Sequence, residues 1–151
     1  MTLKEKVAAD LQRAMKAGDR TRLETLRSVR AALLEKEKER GAQKDLSPDV
    51  ELGVLTAAAK KRRESIEMFQ KGGRDDLVEQ EKSELAIIQE YLPKQLSEEE
   101  LKETIKAVIA ETGATSESDF GNVMPPVMKL VKGKADGRLV QELVKKLLAS
   151  P

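Results

Sequence analysis

Apolar residues recur at helical spacing along nearly the whole chain, and this period is the feature that most restricts its fold. No segment of useful length alternates apolar and polar residues with the period of two that strands require. Helix-start signals precede several of the periodic segments, at Thr2 with Glu5, at Ser47 with Pro48, and at Ser97 with Glu100. The sequence therefore predicts an all-α fold with no sheet.

The segment around Pro93 divides the predicted helices into two groups. Four helices precede it and three follow it, and a proline disfavours helical continuity on both of its sides. The charge balance also changes here, from 19 bases and 18 acids over residues 1–91 to three bases and six acids over residues 92–118. We predict an N-terminal four-helix domain over residues 1–92 and a small C-terminal three-helix bundle over residues 93–151. The alternative is a kink inside one seven-helix domain.

The residue types that are missing exclude several classes of site. The 151 residues include no Cys and no His, which excludes disulfides, zinc centres of the usual kind, thiol nucleophiles and imidazole-based triads. We expect no metal and no cofactor. Only Phe69, Tyr91 and Phe120 are aromatic, which disfavours a single-strand binder that stacks bases. No apolar run could cross a membrane and the start MTLKEKVAAD lacks an export signal, so we expect a cytoplasmic protein with no membrane partner.

Charged residues fall on the apolar faces of two N-terminal helices. At about 100° per residue, Arg62 lies in the middle of the apolar face of the third helix, and Glu81 lies equally centrally on the fourth. A lone buried guanidinium would cost several kcal/mol, so it requires a partner or an exit to water. We predict an interhelical ion pair between Arg62 and Glu81 or Glu84 that fixes how these helices dock. The alternative is an interior polar site that binds a ligand.

Positive charge gathers at the C-terminal end, where residues 119–151 hold six bases and three acids. The inward positions we expect are Val123, Val127, Leu130 and Val131 on the sixth helix, and Leu139, Leu143 and Leu147 on the seventh. The cations then face outward around a glycine-containing connection, whose Asp136 is placed to cap the last helix. Such a convex corner, with exposed amides, suits phosphate backbones without base readout. Its residues are Lys129, Lys132, Gly133, Lys134, Asp136, Gly137, Arg138 and Lys145.

Two segments, EYLPKQLSEEEL (90–101) and DFGNVMPPVMKLVKGKADGRLVQELVKKLL (119–148), resemble the YqeY-like family. The second is similar to the tail domain of the B subunit of the bacterial tRNA-dependent amidotransferase, the GatB/YqeY domain. ESIEMFQKGGRDDL (64–77) extends the resemblance to the N-terminal part, and the whole chain is covered. That tail contacts tRNA in the amidotransferase, so the resemblance implies a tRNA partner near Lys129–Arg138. It also implies an amidotransferase or aminoacyl-tRNA synthetase complex as a partner.

A proline pair, Pro125 and Pro126, departs from the helix-favouring residues expected at that point of the resemblance. Each proline lacks the N–H group that would bond one turn back along the helix. The pair therefore predicts that the sixth helix begins late or bends.

The family name suggests a carbon–nitrogen ligase that uses glutamine as nitrogen donor, but the residues argue against independent catalysis. The chain has no Cys or His to supply a nucleophile or its base, and its glycines do not match a phosphate-binding loop. We predict a non-catalytic, tRNA-binding accessory protein. The alternatives are a protein-interaction adaptor with an apolar groove on its N-terminal helices, and a participant in amidotransferase activity.

Overall fold

The structure, a computed structural model, describes residues 1–41 and 45–149. Helices make up most of these residues and no strand occurs among them, which confirms the all-α prediction. The helices are α1 (Leu3–Ala17), α2 (Arg20–Glu39), α3 (Pro48–Lys71), α4 (Asp75–Gln89), α5 (Glu98–Thr112), α6 (Phe120–Val131) and α7 (Gly137–Ala149). A short 3₁₀ helix, Glu117–Asp119, precedes α6. The chain forms two compact units, Met1–Leu92 and Pro93–Pro151. Independent folding of each unit as a domain stays a prediction.

Local hydrogen bonds fix where the helices begin and end. The Thr2 hydroxyl accepts from the Glu5 N–H while the Glu5 carboxylate accepts from the Thr2 N–H, and Ser97 and Glu100 repeat this capping box at α5. The Ser97 N–H bond also lowers the pKa of Glu100. Gly18 ends α1 at φ 69°, a left-handed conformation that favours glycine. These signals act within a few residues, so the sequence shows them directly.

The N-terminal unit packs α1 against α2 and α3 against α4, with α2 also against α3 and α4. Its core consists of aliphatic side chains that recur one turn apart on each helix. The most buried of them are Val7, Leu26, Val29, Leu33, Leu55, Ala59 and Ile88.

Arg62 lies inside this unit, only 8% exposed, among two carboxylates and a hydroxyl. Its Nη2 atom lies 3.7 Å from Glu84 Oε1, and its Nε atom lies 4.0 Å from Glu81 Oε2. Nη2 also donates a hydrogen bond of 3.3 Å to Ser28 Oγ on α2, a partner that the sequence analysis did not identify. The guanidinium therefore joins three helices, and its role in fixing their docking stays a prediction.

Tyr91 connects the end of α4 to α1. Its hydroxyl donates a hydrogen bond to the Asp10 carboxylate, and the Lys6 ammonium lies 5.2 Å from the centre of its ring. Burial and the Asp10 carboxylate raise the pKa of Tyr91. Arg22 adds a two-pronged bond to Glu90, at 3.1 and 2.9 Å. These contacts hold the last residues of the unit in place.

The C-terminal unit packs α5, α6 and α7 around one apolar core. On α7 the fully buried stripe is Val140 and Val144 with Leu148, one residue beyond the predicted stripe, while Leu143 is buried and Leu139 and Leu147 are partly buried. On α6 the predicted inward position of Leu130 is wrong, because this side chain is 56% exposed. Val131 already fills the inward position next to it, and a helix turns adjacent residues about 100° apart.

Helix α6 continues through Pro125 and Pro126, and the predicted late start is wrong because the helix begins at Phe120. The alternative, a bend at the proline pair, stays a prediction. Val123, which is fully buried, packs the start of the helix into the core. The Asp119 carboxylate accepts from the Thr115 and Ser116 N–H groups and so orders the turn that precedes α6. Tertiary contacts thus override local preference. Relative to alanine, a proline within a helix costs about 3 kcal/mol and a glycine about 1 kcal/mol.

Replacing Arg62 with alanine should destabilise the protein by about 3 kcal/mol, because two largely buried carboxylates lose their counter-charge. Chemical denaturation followed by circular dichroism measures this loss. Lys61→Ala, at an exposed neighbouring position, should change the free energy of unfolding by less than about 0.5 kcal/mol. Equal effects of the two variants would contradict a stabilising role for the Arg62 contacts.

Replacing Glu84 with glutamine should change how stability depends on pH. Burial, and next the Glu81 charge, raise the pKa of Glu84 in the folded protein, so the folded state holds this proton more tightly than the unfolded state. Stability from this group is present below the unfolded pKa and falls as pH rises through the folded value. From about pH 4 to about pH 7, the stability difference should therefore shift in favour of Glu84→Gln. Urea titrations across that range test this, with exposed Glu79→Gln as the control for losing one carboxylate.

Candidate nucleic-acid interface

The loop between α6 and α7 makes a sharp, hydrogen-bonded turn. Lys132 is the C-cap of α6, and Gly133 follows with a φ of 75°. Residues that carry a Cβ atom rarely adopt this left-handed conformation. The Lys134 N–H then donates a bond of 2.8 Å to the Val131 carbonyl. The turn reverses the chain so that α7 packs beside α6.

Two residues before α5 hold this loop in place. The Gln95 side-chain Nε2 donates to the Gly133 carbonyl at 2.8 Å, and the Leu96 N–H donates to the Lys134 carbonyl at 2.8 Å. Gly133 is buried beneath these contacts. The expectation that Gly133 offers an exposed amide at an unobstructed connection is therefore wrong, because Gln95 covers this part of the loop. The roles of Gln95 and Leu96 were not predicted, because nothing local in the sequence marks their bonds to residues far along the chain.

Asp136 caps α7, as its position in the sequence predicts. Its carboxylate accepts from the Arg138 N–H at 3.3 Å and its carbonyl accepts from the Val140 N–H at 3.0 Å. Gly137 and Arg138 are exposed in the first turn. Asp136 thus orders the start of the helix, and its negative charge makes it the least suited of the eight predicted residues to face a phosphate.

The cations predicted to form one corner are instead distributed along α6, the loop after it and α7. Lys129, Lys132 and Lys134 are exposed around the end of α6. Lys145 lies elsewhere, with its ammonium 5.6 Å from the ring centre of Phe120. Phe120 begins α6, so Lys145 lies at the opposite end of that helix from the loop, roughly 16 Å away. Antiparallel packing of α6 and α7 causes this separation.

Positive charge predominates in the segment that contains the end of α6, the loop and α7. Residues 129–146 contain six bases and two acids. Within residues 1–41 and 45–149, no ion pair involves Lys129 or Lys134. Exposed ammonium groups of this kind attract phosphates through charge and do not read bases. We call these exposed bases, Lys129, Lys132, Lys134, Arg138, Lys145 and Lys146, the basic strip.

Three further kinds of functional feature matter among the described residues: metal clusters, membrane-spanning helices and grooves. No set of three or more potential metal ligands lies together among them. Their helices include none with the length and apolar character needed to cross a membrane. An open groove of about 530 Å³ lies between α2 and α3 of the N-terminal unit. Small apolar residues line it, and its rim carries both signs of charge, from Glu35, Glu39, Lys36 and Lys61.

Comparison with known families identifies the chain. A profile described as Yqey-like protein matches residues 4–148. The chain belongs to the Yqey-like family. The match spans both units and confirms the resemblance to the YqeY-like family. Within this family member, the basic strip lies in the segment whose motifs carried that resemblance.

Fungal relatives carry the name Altered inheritance of mitochondria protein 41, mitochondrial. The relative from Pyrenophora tritici-repentis is 30% identical over 152 residues, which covers 96% of this chain and 80% of the relative. Relatives from Eremothecium gossypii and Lachancea thermotolerans are 40% and 42% identical over 83 and 84 residues. Those two matches cover 55% of this chain and less than half of either relative, 45% and 44%.

The names of these relatives contradict the cytoplasmic location predicted from the sequence, because they assign the relatives to mitochondria. The prediction relied on the lack of an apolar export signal. Mitochondrial targeting uses amphipathic, arginine-rich segments instead, so the lack of an apolar segment does not bear on it.

Replacing Gln95 with alanine should loosen the α6–α7 loop, because the buried Gly133 carbonyl would lose its side-chain donor. We expect a loss of about 1–2 kcal/mol in the free energy of unfolding. Hydrogen exchange of the Leu96 and Lys134 amides should also become faster. Gln141→Ala, at an exposed position on α7, is the control. Unchanged exchange at both amides would show that Gln95 does not hold the loop.

Proposed function

We propose that this protein is a non-catalytic RNA-binding accessory protein, with tRNA as its partner, that holds the RNA backbone through the basic strip. The single observation that carries this proposal is the excess of bases over acids in residues 129–146, with Lys129 and Lys134 exposed and outside any ion pair among the described residues. The resemblance of this segment to the tail domain of the tRNA-dependent amidotransferase also implies tRNA as the partner.

The rigidity of the loop supports binding. Gln95 and Leu96 hold the backbone at Gly133 and Lys134, so the nearby lysines project from a fixed support. A partner then meets cations whose backbone is already ordered, which lowers the entropy lost on binding. The contacts of lysine ammonium groups follow the RNA backbone and are tolerant of sequence.

The residue composition supports an accessory role instead of catalysis by this chain alone. Glutamine amidase chemistry requires an activated nucleophile, and the sequence has neither Cys nor His. The protein takes part in carbon–nitrogen ligation only as an accessory of a partner complex, which is an amidotransferase or an aminoacyl-tRNA synthetase complex. The relatives' names support a mitochondrial setting for this role.

Binding of bulk tRNA should weaken steeply as salt rises. With about three to five phosphate contacts, the logarithm of the association constant should fall with the logarithm of salt concentration at a slope of about −2.7 to −4.5. Charge reversal at Lys129 or Lys134 should lower the affinity by about tenfold and make the slope shallower. Fluorescence anisotropy with labelled tRNA measures both quantities.

The matched control is Lys106→Glu, an exposed position on α5 of the same unit that makes the same change in net charge. It should weaken binding much less than the strip variants. Equal loss from all three variants, or affinity that does not respond to salt, would contradict a specific role for the basic strip. Capture of a protein partner without RNA favours the adaptor alternative, and ammonia release from glutamine by the purified protein favours the enzyme alternative.

A further inference from the structure

Three exposed residues of α6 disfavour the helix in which they lie. They are Gly121, Pro125 and Pro126. Gly121 does not have a positive φ, and a Cβ atom added there would meet no atom within 4 Å. The buried positions of the helix are Val123, Val127 and Val131, so none of the three contributes to the core. Packing and backbone conformation therefore do not explain these residues, and such breaks of local preference are expected at functional sites.

The two prolines remove the α-helical donors of two carbonyls of α6, those of Gly121 and Asn122, and Asn122 also lacks a 3₁₀ donor. A helical carbonyl accepts from the N–H group four residues later, or three residues later in a 3₁₀ turn. For Asn122 these residues are Pro126 and Pro125, and neither has an N–H group. The Pro126 ring also displaces the carbonyl one turn before it. Asn122 and both prolines are exposed residues, so this carbonyl belongs to the solvent-facing side of the helix.

The same side of α6 carries apolar surface and positive charge. Leu130 follows Pro126 by one turn and is 56% exposed, so it adds apolar surface next to the proline ring. Lys129 follows Pro125 by one turn and makes no ion pair among the described residues. We define the outer face of α6 as Gly121, Asn122, Pro125, Pro126, Lys129 and Leu130.

We propose that the outer face of α6 binds the ribose edge of an RNA strand and thereby distinguishes RNA from DNA. This inference rests on the proposed function and names how the partner is recognised. A ribose 2′-hydroxyl donates to the Asn122 carbonyl, while Lys129 contacts the adjoining phosphate. The lack of a side chain at Gly121 allows the close approach. Deoxyribose has no hydroxyl at this position, so DNA leaves the carbonyl without a donor.

Charge and hydrogen-bonding chemistry favour RNA over a protein partner at this face. Residues 120–134, which contain the outer face and the loop after it, hold three bases and no acid, which matches a polyanion. In an A-form helix the 2′-hydroxyls line a wide, shallow minor groove beside the phosphates. That arrangement places three groups next to one another: a hydroxyl donor for the Asn122 carbonyl, a sugar surface for the apolar residues, and a phosphate for Lys129.

Three hairpins of one stem sequence test the inference on the full-length protein by fluorescence anisotropy at constant salt. They are an RNA hairpin, a DNA hairpin, and an RNA hairpin with fluorine in place of every 2′-hydroxyl. The fluorinated hairpin keeps the A-form but has no 2′ donor. We expect the RNA hairpin to bind about tenfold more tightly than the other two hairpins. This factor corresponds to the net free energy of one hydrogen bond, at the upper end of the range found in proteins.

Two variants remove the proposed contacts without harming the fold. Pro126→Ala restores an N–H group that bonds the Asn122 carbonyl, and Gly121→Ala adds a methyl group where the ribose approaches. Each should raise the midpoint of thermal unfolding by several degrees, because alanine favours the helix. Each should also weaken RNA binding by about tenfold and leave DNA binding unchanged. Gly53→Ala, an exposed helical glycine on α3 with open space around it, is the matched control and should leave RNA binding unchanged.

The hairpin and variant measurements distinguish failure of the hydroxyl contact from failure of RNA binding as a whole. Equal binding of RNA and DNA that still depends on Lys129 and Lys134 would overturn the inference and leave the RNA-binding function standing. Binding of fluorinated RNA as tight as that of RNA would overturn the hydroxyl contact. No binding of tRNA or of any hairpin would overturn both the hydroxyl contact and the RNA-binding function. A protein found bound at the outer face would then favour a protein partner instead.

Discussion

Burial of one valine stripe on α6 determines what the C-terminal unit presents to its surroundings. Val123, Val127 and Val131 are each 0% exposed, and removing three such side chains from water contributes about 5 kcal/mol. Because successive residues are about 100° apart on a helix, this burial also fixes the rotation of α6 about its own axis. The proline pair, Lys129 and Leu130 are exposed as a consequence.

The same burial explains how α6 accommodates residues that oppose helix formation. Hydrophobic contacts with α5 and α7 offset the cost of a glycine and two prolines on the exposed side. Gln95 and Leu96 fix the loop that follows, so the helix is held on one face and at its end. Stability in this unit therefore comes from the inner face, which leaves the chemistry of the outer face available for recognition.

The N-terminal unit combines an aliphatic core with charged groups. Arg62 is buried among Glu81, Glu84 and Ser28, while Tyr91 and Arg22 hold the end of α4 near the other helices. Buried charges contribute little net stability when they are paired, but they penalise arrangements in which the pair is broken. The sequence predicted a paired Arg62 because this charge lies on an apolar helix face. It did not predict the contact with Ser28, because Ser28 lies on another helix and outside any apolar pattern.

The sequence by itself determined the helical class, the helix caps, the family and the position of Arg62 on an apolar face, because each depends on residue type or on spacing within a few turns. Only the tertiary structure decided that Gly133 is buried, that Leu130 is exposed and that Lys145 lies beside Phe120. Helical period states which residues share a face but not which neighbour covers that face. The Gln95 bond to Gly133 joins residues 38 positions apart, and no local pattern records such a contact.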